Sequence, residues 1–108
     1  MSEAAGVRPG DTVLEVGAGS GYAAAVLSRI AAHVYAVERR EDLAREASRR
    51  LTRLGYDNAE VVAGDGSHGL AEAAPFDAIL VAAAGPAIPQ ALKDQLEIGG
   101  RLVMPVGE

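Results

Sequence analysis

The chemically capable residues of this chain are acids and glycines gathered in a few short stretches. Glu15 lies in the apolar run Thr12–Val16, and the run is followed at once by Gly17, Ala18, Gly19, Ser20 and Gly21. Glu38 closes a second apolar run, 33–38, and Asp65 stands between Gly64 and Gly66. Glycines at alternate positions permit positive φ and close backbone approach, and a helix starting directly after them leaves unpaired N–H groups facing the loop. The first stretch therefore reads as strand, tight turn and helix start, which together make a ligand cradle. Glu15 is the odd residue in it, because a carboxylate at the end of an apolar strand is costly unless something pairs with it. That partner is either a cationic ligand group or the backbone N–H groups of the glycine loop.

The spacing separates ligand classes. A dinucleotide fingerprint G-x-G-x-x-G/A begun at Gly17 needs a small residue at position 22, where Tyr22 stands instead. The pattern here is E-x-G-x-G-x-G. A pyrophosphate gains nothing from a carboxylate beneath it, whereas a ligand bearing an ammonium group does, and S-adenosylmethionine carries one. Glu38 can accept hydrogen bonds from both hydroxyls of a ribose, a role that NAD folds share; the alternative is the solvated end of a strand. Asp65, flanked by glycines that bare the backbone, is placed to take an adenine amino group, or else forms an Asx turn. Tyr22 serves packing or ligand contact. His33 and His68 show no partner pattern for a metal or a catalytic triad; His33 reads as a surface residue at a strand start and His68 as a loop residue. No metal site is expected.

The secondary structure that holds these groups alternates along the chain. Residues 1–11 read as a polar lead-in ending in the turn Arg8-Pro9-Gly10-Asp11. Strands are expected at Thr12–Val16, His33–Glu38, Glu60–Ala63, Asp77–Val81 and Arg101–Val106, with Gly99-Gly100 as the turn before the last. Helices are expected at Ala23–Ala32, with Ser28 and Arg29 as a narrow polar strip, at Glu41–Leu54 and at Pro89–Leu96. In the second, Leu43, Ala47, Leu51 and Leu54 form one apolar stripe and Gly55 is the stop. A loop with a weak helical turn fills the stretch up to Pro75. None of the connections is a two-residue hairpin, so the sheet is expected to be mostly parallel, with right-handed crossovers and helices on both faces. The doubly wound, Rossmann-like α/β order 3-2-1-4-5 fits, and its switch point lies between the first and fourth strands, where ligands bind. Glu15 to Gly21, Glu38, Gly64 to Gly66 and Ala82 to Pro86 all fall at that sheet edge.

Composition bounds the rest. With 108 residues, 49% hydrophobic and only 4% aromatic, the chain suits one domain of close helix–sheet packing. A formal net charge of −5 argues against a nucleic-acid binder, since phosphate binding needs a basic surface. The absence of cysteine excludes disulfides and thiol catalysis. No signal peptide or membrane-length apolar run is seen, so a soluble, cytoplasmic protein without membrane partners is expected.

Longer stretches carry a resemblance. Leu14-Glu15-Val16-Gly17-Ala18-Gly19-Ser20-Gly21-Tyr22, Leu54 to Asn58, Gly64-Asp65-Gly66, Ala74-Pro75-Phe76-Asp77-Ala78-Ile79, Pro89 to Leu92 and Gly99 to Gly107 resemble the protein-L-isoaspartate O-methyltransferase family over nearly the whole chain. The resemblance implies an S-adenosylmethionine-dependent enzyme that methylates the carboxylate of L-isoaspartyl and D-aspartyl residues, a protein-repair reaction, with isoaspartyl peptides as partners. It carries Glu15, Gly17, Glu38, Asp65 and Gly66 over as cofactor-binding positions, with Ala18, Gly19 and Gly21 in the same loop. The family's N-terminal Thr-Ile-Ser-like segment, with its active-site serine, has no counterpart here, so no catalytic residue is assigned. Residues 1–108 thus look like the family's cofactor-binding core, a single domain lacking that segment and the later strands. Ala82 to Ile88 are expected to wall the methyl group, or merely to turn the chain. The alternatives are a binding module without activity, a methyltransferase with another substrate, or an NAD-binding domain, which Glu15 and Tyr22 oppose. The last strand is expected to be an exposed apolar edge that invites self-association.

Overall fold

A computed structural model describes residues 7–17, 22–81 and 89–103. The elements run β1 (Thr12–Val16), α1 (Tyr22–Ser28), β2 (His33–Glu38), α2 (Glu41–Leu54), β3 (Ala59–Ala63), β4 (Phe76–Val81), α3 (Gln90–Asp94) and β5 (Leu96–Val103). Two short 3-10 turns, Gly66–His68 and Ala71–Ala73, occupy the stretch between β3 and β4. The five strands form one sheet in the order β3-β2-β1-β4-β5, and every pairing is parallel, as the alternation of elements requires.

Side chains alternate across β1 and so feed two cores. Val13 packs with Ala36 and Leu80 of the neighbouring strands beneath Ala24 and Leu27 of α1 and Ala44, Ala47 and Leu51 of α2. Leu14 packs with Val37, Phe76 and Ile79 on the opposite face, which Leu92 of α3 and Leu70 cover. The small alanines of α1 and α2 let both helices approach the sheet. The largest fully buried side chains are Phe76, Leu14 and Ile79, each worth about 1.5–3 kcal/mol of burial. Among the described residues no helix is long and apolar enough to cross a membrane.

Several expectations change. The first helix stops at Ser28 instead of continuing to Ala32. Ser28 is buried, its hydroxyl donates to the Ala25 carbonyl (2.8 Å), and the Asn58 amide donates to the carbonyls of Ser28 (2.7 Å) and Ala31 (3.2 Å), which satisfies the frayed end. The buried stripe of α2 is Ala44, Ala47 and Leu51, whereas Leu43 is half-buried and Leu54 is 62% exposed. Val7, placed in a polar lead-in, belongs to the core. His33 opens β2 as expected and is only half-buried, its ring 4.4 Å from that of Tyr35 and its Nε2 3.8 Å from Glu60 on β3.

The largest change is at Gly99-Gly100. The third helix ends at Asp94, and β5 begins at Leu96 and runs through both glycines, which therefore form no turn. The pairing steps from Phe76↔Leu96 to Ala78↔Arg101, so extra residues bulge out of β5 against β4. A Cβ on Gly100 would come within 3.1 Å of the Phe76 and Asp77 carbonyls, and glycine is what lets the backbones approach there. β5 is described only to Val103, so the expected course to Val106 lies outside the described residues.

Candidate functional site

The register brings the carboxyl ends of the inner strands together. Val16 pairs with Val37 on one side and Val81 on the other, and Glu38 pairs with Ala63. Backbone bonds continue the match past the strands: Gly17 N–H donates to the Val37 carbonyl (2.8 Å), and Gly64 N–H donates to the Glu38 carbonyl (2.9 Å). Gly17 has a φ of 91°, so the chain leaves β1 in a turn that a side chain would strain. Glu15, Gly17, Glu38, Asp65 and Gly66 are thereby collected at one sheet edge, beside the topological switch between β1 and β4.

Glu15 lies between Ala36 of β2 and Leu80 of β4, and it is only 5% exposed. Its Oε1 is buried and has no hydrogen-bond partner among the described residues. Burial disfavours the charged form and pushes the carboxyl up to about 7. Glu38 is 9% exposed, which overturns the alternative of a solvated strand end. Its Oε2 accepts from the Arg40 N–H at 3.0 Å, so the chain leaving β2 holds that carboxylate in place.

Asp65 is exposed and caps the 3-10 turn Gly66–His68. Its Oδ1 accepts from Ser67 N–H (3.0 Å) and from the Ser67 hydroxyl (2.8 Å), and these bonds hold its carboxyl below the usual range. The Asx turn is thus present. It uses one oxygen, and the carboxylate still faces solvent. Gly66 rests on the end of β1, where an added Cβ would run into Cγ1 of Val16. Close approach is therefore the reason for this glycine.

Ala18, Gly19 and Gly21 lie outside the described residues, as do Ala82 to Ile88; of Tyr22 only its place at the start of α1 is described. Among the described residues, no group of three His, Cys, Asp or Glu side chains could hold a metal ion. Two polar residues that support the site have no obvious signal in the sequence. Asp77 accepts from Thr12 N–H at 2.8 Å and so anchors the start of β1 to β4. Gln95 is buried and binds the loop that follows β3. A lone polar residue at the margin of an apolar run is the only hint of either.

The same architecture recurs in known proteins. A solved structure described as a protein-L-isoaspartate O-methyltransferase superposes with a TM-score of 0.89 at 38% identity, covering 95% of this chain and 33% of that one. "Protein-L-isoaspartate O-methyltransferase 2" of Pelobacter propionicus is 60% identical over 107 residues, which is 99% of this chain and 48% of the relative. The protein-L-isoaspartate O-methyltransferase of Roseiflexus castenholzii is also 60% identical, over 99% of this chain and 49% of its own length. This chain therefore spans about half the length of the curated relatives it matches. The sequence profile of the protein-L-isoaspartate(D-aspartate) O-methyltransferase family matches residues 1–108 from end to end. The chain belongs to that family.

Proposed function

We propose that this chain binds S-adenosylmethionine and serves methyl transfer to the carboxylate of L-isoaspartyl and D-aspartyl residues in damaged proteins of the cytoplasm. The observation that carries the reading is the buried carboxylate oxygen of Glu15 at the end of β1, which has no hydrogen-bond partner among the described residues, in a chain of this family. An acid in that position is stabilised by a cation, and the ammonium group of the methionine part fits it. Glu38, held by Arg40 N–H, suits a pair of ribose hydroxyls. The solvent side of Asp65 suits an adenine amino group, and Gly66 keeps the floor of that region low.

When bound, the cofactor supplies a methyl group on a sulfonium. The chain's residues then have little proton chemistry to do, because an acceptor carboxyl with a pKa of about 4 is already ionised at neutral pH. Their work is to orient the donor and to exclude water around it. The partner is accordingly an isoaspartyl peptide. β5 is the outer strand on its side of the sheet, with Ile98 almost fully exposed, and we extend the proposal to self-association along that edge, which sedimentation of the chain would test.

The deciding experiment incubates the chain with methyl-labelled S-adenosylmethionine and matched isoaspartyl and aspartyl peptides. Base-labile label on the isoaspartyl peptide alone is the expected result. Binding of S-adenosylhomocysteine without ester formation would instead favour a cofactor-holding module. Preference for NADH over S-adenosylhomocysteine in calorimetry would overturn the cofactor.

A further inference from the structure

The 3-10 turn that Asp65 caps is pinned at both of its ends, and one of the pins comes from far along the chain. At its start, Gly66 lies on the side chain of Val16. At its end, the Gln95 side chain bridges Gly69: Nε2 donates to the His68 carbonyl (2.9 Å), and Oε1 accepts from Leu70 N–H (2.8 Å). Gln95 is itself immobilised, because its carbonyl accepts from Phe76 N–H of β4 (2.8 Å) and its N–H donates to the Leu92 carbonyl (3.2 Å). Gly69 faces the amide so closely that an added Cβ would collide with Gln95, and its φ of 64° with ψ of −143° lies where side chains are strained. Within the turn, His68 N–H bonds to the Asp65 carbonyl (3.0 Å) and Gly69 N–H to the Gly66 carbonyl (3.1 Å). Asp65 is thus linked through consecutive hydrogen bonds to a buried amide between α3 and β5.

We propose that Gln95 is a positioning residue for base recognition, clamping the Gly66–Leu70 segment so that Asp65 presents its carboxylate at a fixed height to an adenine amino group. The inference rests on the cofactor reading above. Asp65 is exposed and its own side chain bonds only locally, so its placement depends on the rigidity of the turn that carries it. A primary amide suits this role because it donates and accepts across one residue, replacing two backbone bonds that the Gly69 conformation forfeits. Buried carbonyl and N–H groups left without partners would force the segment to move.

The test compares binding of S-adenosylhomocysteine with that of its hypoxanthine analogue, whose base has a carbonyl where adenine has the amino group. Asp65→Ala is expected to shrink the preference for adenine about tenfold, the loss of one hydrogen bond to a charged acceptor. Gln95→Met keeps the length of the side chain and removes both bonds; it is expected to shrink the preference to a similar extent, with affinity for the hypoxanthine compound held within about twofold. Gln95→Glu keeps the acceptor for Leu70 N–H and should fall between. In the double variant Asp65→Ala with Gln95→Met, the two losses should not add. An unchanged adenine preference in Gln95→Met, alongside a loss in Asp65→Ala, would overturn the positioning role and leave the cofactor reading standing. An unchanged preference in Asp65→Ala would overturn the positioning role together with the contact between Asp65 and adenine. A uniform loss for both ligands in Gln95→Met would mark a merely structural role and also overturn the proposal.

Discussion

Glu15 and Glu38 occupy the ends of adjacent parallel strands, and both are almost fully buried, yet their situations are opposite. Glu38 ends its strand where the chain curls back, so Arg40 N–H reaches its carboxylate. Glu15 sits one residue inside β1, flanked by Ala36 and Leu80, and its Oε1 meets no donor among the described residues. The same side chain is a settled acceptor in one strand and an unsatisfied group in the next. A buried acid without a partner among the described residues is costly to the free chain, and a cation beside it would offset that cost, so the proposed cradle pairs one carboxylate held by the chain with one open to a cationic group.

The largest effect expected to test this contrast is the pH dependence of stability. The Glu15 carboxyl lies at about 7 in the folded chain against an ordinary 4.5, so between those values the folded state holds its proton more tightly than the unfolded chain does. Stability from this group is full below pH 4.5 and is lost as pH rises through 7, a swing of about 3 kcal/mol. Urea melts from pH 4.5 to 8 should show this decline, and Glu15→Gln should remove most of it while raising stability at pH 8. An equally steep decline in the variant would rule Glu15 out as its source. The same substitution should weaken S-adenosylhomocysteine binding by about 2–3 kcal/mol, measured by calorimetry at pH 8, so stability and affinity move in opposite directions.

Glu38→Ala should move them together. Binding is expected to weaken by about 1–3 kcal/mol through lost hydrogen bonds to a charged acceptor, and the free chain should lose about 1 kcal/mol as Arg40 N–H loses its partner. A stability gain in Glu38→Ala would erase the distinction between the two acids. The smallest expected effect is at Gly66, where a Cβ would run into Val16. Gly66→Ala should cost about 1–2 kcal/mol of stability by overpacking, and chemical denaturation would show it. An unaltered midpoint would mean that the turn does not rest on β1.

The acids and glycines of the site were readable one by one because their signals are local. An acid ending an apolar run, or a carboxylate between two glycines, is visible within a few residues, and α2 was bounded correctly because Gly55 follows it. The helix and strand around Gly99 depart from the local signal for the opposite reason. A glycine pair favours a turn in isolation, but pairing with β4 outweighs that preference and draws the pair into a bulge. Ser28 and Arg29 read as a polar strip by periodicity, whereas Ser28 is buried because its hydroxyl folds back on the Ala25 carbonyl. Gln95 left no readable mark, since its partners His68 and Leu70 lie more than twenty residues earlier in the chain.

The alternation of strands and helices follows from the amino-acid order alone, and with it the parallel order 3-2-1-4-5 and the set of carboxylates that falls at its carboxyl edge. Periodicity, glycine punctuation and the handedness of crossovers act over short distances, so they can be read without coordinates. Folding in three dimensions settles which of those carboxylates is satisfied, that Glu15 is pushed toward neutrality, and that a distant glutamine holds the turn under Asp65. These are properties of burial and of partners brought together by folding, and neither is encoded in the immediate neighbours of the residues concerned.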